Sequence, residues 1–111
     1  MNPINVIISV AKCLKAAFRE HDIVFRLGGD EFSAYAAEVH DKKIAESIIN
    51  RFIENLKTIV IPELGDIAIT ASIGAIIIPQ GEAADFGDNY KLIDKGVYTS
   101  KKVEGSHVTF M

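Results

Sequence analysis

Two β-prone runs, residues 22–27 and 30–37, are separated only by Gly28-Gly29. A turn that tight needs positive φ, which glycine adopts without strain, so the spacing predicts an antiparallel hairpin. A chain of 111 residues has room for one domain and one core around such a hairpin. Hydrophobic residues make up 49% of it, and the mean hydropathy is +0.20. That richness predicts a sheet buried on both faces, or apolar surface hidden against a partner.

Helical periodicity flanks the hairpin. Asn2 and Pro3 read as an N-cap and a first helical position. Ile4, Ile7, Ile8, Ala11, Leu14 and Phe18 then recur on one face, with Lys12, Lys15 and Arg19 mostly opposite, predicting a helix to about Glu20. Asp41 is placed to cap a second helix whose apolar stripe is Ile44, Ala45, Ile48, Phe52 and Leu56. Pro62 and Gly65 mark the loop after it. Residues 67–78 are β-branched and almost wholly apolar, the pattern of a strand covered on both faces. Asp88 or Asn89 is placed to cap a third helix through Tyr90, Ile93 and Val97 to about Lys102, with residues 108–110 as a closing strand. The predicted order, α-β-β-α-β-α-β, is a mixed α/β (α+β) layer fold with no internal repeat and no linker.

Several function classes are disfavoured. The net charge is −3, and no Lys/Arg run is long enough to track a nucleic-acid backbone. The longest apolar stretch, residues 73–78, ends at Pro79, far short of the ~20 residues a membrane helix needs. With no leader pattern and one cysteine, Cys13, the expectation is a cytoplasmic domain without membrane insertion. His21, His40 and His107 show no metal-ligand spacing and read as surface positions.

Gly28-Gly29-Asp30-Glu31-Phe32 at the hairpin tip carries the candidate chemistry. It resembles the signature of the GGDEF family, the diguanylate cyclase domains, and its flanks strengthen the likeness. Arg19-Glu20-His21-Asp22 stands at the offset of the family's RxxD motif, and Arg26-Leu27 is similar to the pair that leads into the family turn. Thr70-Ala71-Ser72-Ile73-Gly74-Ala75 resembles the T-x-S-I-G-V/A strand. Residues 94–101 resemble the A-D-x-A-L-Y-x-A-K helix, with Ile93 and Gly96 where alanines are usual. The matches come in family order over nearly the whole chain.

The resemblance implies a nucleotidyl-cyclase, palm-like sheet and the joining of two GTP molecules into cyclic di-GMP, with release of pyrophosphate. It implies that Asp30 and Glu31 are catalytic acids and ligands of Mg²⁺ (or Mn²⁺), a hard cation that takes carboxylate oxygen. Gly28 and Gly29 are implied to admit the triphosphate, and Lys101 to pair with its terminal phosphates. Arg19 and Asp22 are implied to form an inhibitory site for the product; an ordinary helix-end ion pair is the rival reading. The implied partner is a second GGDEF domain in a homodimer.

The family domain opens with a strand carrying D-x-D-x-F-K-x-x-N-D and then a G-H-x-x-G-D segment, and neither occurs in these 111 residues. The chain therefore reads as a partial GGDEF domain over 1–111, truncated at its N-terminus. Gly105 stands where the family places a phosphate-gripping arginine; one charge-assisted hydrogen bond of that kind is worth ~1.5–3 kcal/mol. These departures predict that the chain by itself is inactive. A catalytically silent module that binds cyclic di-GMP or GTP, or a dimerisation unit, is the alternative.

Overall fold

The computed structural model describes residues 3–62, 65 and 68–111, the side chains of Pro3 and Ile4 excepted. Its elements are α1 (Pro3–Ala17), β1 (Ile23–Gly28), β2 (Glu31–Tyr35), α2 (Lys42–Leu56), β3 (Ser72–Ala75), α3 (Phe86–Ser100) and β4 (His107–Phe110). The order agrees with the periodicities. Pro3 occupies the first helical position; the cap expected at Asn2 lies outside the described residues. Contacts divide the chain into two units, one of Met1–Glu38 and Ser47–Ile69, the other of Val39–Glu46 and Thr70–Met111.

The first unit has a conventional apolar core. Leu14 and Ala17 of α1, Ile48, Phe52 and Leu56 of α2, and Ile61 beyond it are buried. Burying a large side chain of this kind contributes roughly 1.5–3 kcal/mol. Two hydrogen bonds tie the helices: the Cys13 thiol donates to the Asn55 carbonyl (3.6 Å), and Arg51 Nη1 donates to the Ala17 carbonyl (3.5 Å). Not every residue of the helical stripes expected from sequence is buried. Ile8 and Ile44, counted as apolar-face residues, are 47% and 45% exposed, whereas Ala17 is buried. Helix α1 also stops at Ala17, short of the expected Glu20, because residues 19–22 close a separate turn in which Asp22 N–H donates to the Arg19 carbonyl (3.0 Å).

The hairpin is antiparallel, with Ile23 opposite Tyr35 and Arg26 opposite Phe32. Gly28 pairs with Glu31, so the turn residues are Gly29 and Asp30, one position later than the Gly28-Gly29 turn expected. The register shifts between Arg26 and Gly28, leaving Leu27 as the extra residue of an irregular ladder.

In the second unit β3 and β4 pair in parallel, from Ser72 with His107 to Ala75 with Phe110, and α3 packs on both. Of the long strand expected over residues 67–78, Ile67 lies outside the described residues, and over 68–78 only the four-residue β3 forms, matching the four of β4; residues 71–78 are half-buried. A strand persists only as far as a neighbour answers its N–H and C=O groups. Among the described residues, β3 has β4 on one edge and no strand on the other. The described residues thus make two two-stranded sheets. The cap of α3 is Asp85, not Asp88 or Asn89; its carboxylate accepts from the Asp88 N–H (3.0 Å).

Small residues make the contact between α3 and β3. A Cβ on Gly74 would run into the Ile93 carbonyl oxygen and stand 2.8 Å from the Val97 nitrogen. One on Gly96 would stand 2.9 Å from Gly74 Cα and 3.1 Å from the Thr109 carbonyl oxygen. The backbones are therefore as close as two glycines allow, which accounts for glycine at 96 where the family has alanine. A turn further on, Ser100 is fully buried; its hydroxyl donates to the Ile73 carbonyl (2.8 Å) and accepts from the Thr109 hydroxyl (2.7 Å).

Gly74→Ala should cost ~2 kcal/mol or more, since overpacking of this kind costs ~1–3 kcal/mol and here meets backbone. Gly96→Ala should cost less, because alanine is better than glycine inside a helix by ~1 kcal/mol. Urea unfolding of both variants checks this; a cost for Gly74→Ala below ~1 kcal/mol would mean that helix and strand move apart to admit the methyl group.

Candidate functional site

The hairpin tip presents its acids without neutralising them. Gly28 and Gly29 take φ of 145° and 53°, values an L side chain rarely adopts, and a Cβ at either would meet nothing within 4 Å. Backbone conformation, not crowding, demands glycine there, and the open space leaves room for a ligand to approach the main chain. Asp30 and Glu31 follow directly and are exposed. Among the described residues no hydrogen bond or ion pair engages either carboxylate.

Arg26 holds this turn in shape. Its guanidinium donates through Nε and Nη2 to the Gly29 carbonyl oxygen, at 2.8 and 2.5 Å. A planar fork closing on one oxygen fixes the peptide that precedes the two acids. Sequence reading noted Arg26 only as part of a motif; the backbone carbonyl it grips carries no sequence signal.

The second constellation lies between α1 and β1. Asp22 folds back so that its Oδ2 accepts from the Arg19 backbone N–H (2.8 Å), closing a rigid four-residue turn. The Asp22 side chain is 1% exposed, yet its Oδ1 has no hydrogen-bond partner. The nearest cationic candidate, His21 Nε2, is 3.9 Å away, too far for a hydrogen bond. The expected rival, an Arg19–Asp22 side-chain pair, is not formed. The Arg19 guanidinium instead meets Glu38, Nη1 to Oε2 at 3.5 Å, and His21 Nε2 approaches the same oxygen at 3.4 Å. Glu38 was invisible to motif reading because it stands outside RxxD, in the segment after β2. Arg51 of α2, though exposed, donates to the Ala17 carbonyl at the end of α1.

In the second unit, Lys101 caps α3 and is exposed, and Gly105 lies in the loop before β4. Burial raises the pKa of the Cys13 thiol, which keeps it protonated and unreactive. Among the described residues no group of three or more His, Cys, Asp and Glu side chains is arranged to hold a metal ion by itself. The hairpin acids still suit Mg²⁺, which keeps several waters and typically takes one or two carboxylates together with substrate phosphates. No helix of the described residues is long and apolar enough to cross a membrane.

Comparison with known proteins agrees with this geometry. Residues 5–107 match the family described as "Diguanylate cyclase, GGDEF domain". The chain is 28% identical over 104 residues to a probable diguanylate cyclase, DgcT, of Escherichia coli strain K12, covering 87% of this chain but 22% of that protein. The fold is similar to that of the diguanylate cyclase SiaD of Pseudomonas aeruginosa, solved in complex with its activator SiaC, with a TM-score of 0.80 at 21% identity. That likeness covers 96% of this chain and 40% of the SiaD chain. The chain belongs to the GGDEF family and spans well under half the length of these two relatives.

Arg26→Lys, which keeps the charge and loses the fork, should loosen the tip. We expect exchange of the Gly28 and Glu31 amides to quicken about two- to fivefold, as for loss of an exposed bond worth ~0.5–1 kcal/mol, with the global unfolding midpoint nearly unchanged. Hydrogen exchange followed residue by residue checks it; unchanged tip protection would mean that Arg26 is a bystander.

Proposed function

We propose that this chain is the GGDEF portion of a cytoplasmic diguanylate cyclase that joins two GTP molecules into cyclic di-GMP. In that reaction the ribose 3′-oxygen of one GTP bonds to the α-phosphorus of the other, the bond to pyrophosphate breaks, and the hydroxyl proton is lost. Performed twice between facing domains, it yields the cyclic dinucleotide and two pyrophosphates, so the partner is a second copy of the domain. The observation that carries this reading is the hairpin tip, where two positive-φ glycines lead into two exposed, unpartnered carboxylates.

Each residue then has a role. Gly28 and Gly29 admit the triphosphate to the backbone. Asp30 and Glu31 hold the divalent cation, Mg²⁺ or Mn²⁺, and Asp30 is also the group nearest in kind to a base for the hydroxyl proton. When bound, the cation neutralises phosphate charge and lowers the hydroxyl pKa. Lys101 draws the terminal phosphates. Within these 111 residues the cation has the hairpin acids and lacks the further carboxylate of the family's opening strand, so binding should be weak.

A product-binding role for Arg19 and Asp22 is favoured by a separate observation, the buried and unanswered Oδ1 of Asp22. An unsatisfied buried carboxylate oxygen costs ~1–3 kcal/mol or more, which a ligand N–H would recover. A guanine edge offers such donors, and the Arg19 guanidinium suits a phosphate.

Two measurements test these roles. Incubated with GTP and Mg²⁺, the 111-residue chain should form no detectable cyclic di-GMP, while Mg²⁺–GTP binding should be weak and lost in Asp30→Ala/Glu31→Ala; multiple turnover would overturn the inactivity. In calorimetry, cyclic di-GMP binding should vanish in Arg19→Ala. Equal affinity in the two proteins would remove the product site.

A further inference from the structure

We propose that Glu38 is an internal counter-ion of the product site, occupying the Arg19 guanidinium until a polyanionic ligand displaces it. The inference rests on the reading of Arg19 and Asp22 as a site for cyclic di-GMP. Three observations carry it. Asp22 Oδ1 is buried with no partner, marking a position that awaits a donor. Asp22 itself does not neutralise the adjacent guanidinium, because its other oxygen is committed to the Arg19 backbone N–H. The carboxylate at the guanidinium is that of Glu38, 3.5 Å from Arg19 Nη1 and 3.4 Å from His21 Nε2.

The chemistry of that contact makes Glu38 a surrogate for phosphate. Both present oxygen acceptors bearing negative charge to the same guanidinium, so they exclude one another. Glu38 is 65% exposed and its contact is long and monodentate. Such a pair is weak, and water can replace it without leaving a buried charge. It therefore sets a threshold without closing the site. A ligand with two phosphates and donor-bearing bases regains what is lost at Arg19 and satisfies Asp22 as well. A mononucleotide or inorganic phosphate satisfies one end only. Glu38 thus sets an affinity threshold, weakening every anion by a similar factor and leaving the dinucleotide, with its additional contact at Asp22, as the ligand that still binds.

Calorimetry with cyclic di-GMP tests the idea on the wild-type chain, Glu38→Gln, Arg19→Ala, Arg19→Ala/Glu38→Gln and Glu46→Gln. Glu46, a half-buried carboxylate paired with Lys42, controls for the general loss of one negative charge. Glu38→Gln should bind about two- to fivefold more tightly than wild type, the range expected on releasing an exposed ion pair. Glu46→Gln should match wild type, and the double variant should be as weak as Arg19→Ala. Equal or weaker cyclic di-GMP binding by Glu38→Gln would overturn the proposal while leaving the product site intact, since Glu38 would then be idle or would orient Arg19 for the ligand. No binding by wild type or Glu38→Gln would remove the product site, and the role of Glu38 with it.

Discussion

The second unit depends on the approach of α3 to β3 at Gly74 and Gly96. Because neither carries a Cβ, the helix lies close enough for Ser100 to reach the Ile73 carbonyl across the contact. The same hydroxyl meets Thr109 of β4, so one buried serine ties α3, β3 and β4 together. The end of the helix, where Lys101 stands, is positioned by that arrangement. Polar groups this deep stabilise only when every one is answered, and here the serine's partners are.

The first unit works differently. The buried apolar residues described above secure the two helices, while the functional features are arranged by backbone conformation. Positive φ at two glycines bends the tip, Arg26 locks a peptide, and a carboxylate folded onto its own turn makes Arg19–Asp22 rigid. Rigid main chain with unspent side-chain charge is what a site for phosphates and cations requires, since the ligand then meets preformed donors and acceptors.

The order of elements was legible because it rests on local signals: period-3.6 apolar stripes around Leu14, Phe52 and Val97, and a Gly-Gly step between β-prone runs. The motifs were legible for the same reason, being contiguous in the chain. What was not legible depends on distant partners. Residues 67–78 are apolar enough for a long strand, but β4 answers only four of them. Ile8 and Ile44 fit the helical period, yet nothing in periodicity says how wide a core will be available to cover them. Glu38 and the Gly29 carbonyl escaped for a related reason: a residue type repeated across the surface, or a main-chain atom every residue possesses, becomes informative only once its neighbours are known.

The two kinds of strand pairing also differ in how far along the chain they reach. In the hairpin, partners lie between 3 and 12 residues apart, whereas each β3 residue is 35 residues from its β4 partner. Closing the longer loop carries the larger entropic toll and delays that pairing, while hairpins assemble in ~1–10 μs. During synthesis, then, the acidic tip can take shape before α3 and β4 have left the ribosome. The parallel pair must wait until residues 107–110 are made, and until then residues 72–75 lack their strand partner, the interval in which association with other chains is most dangerous.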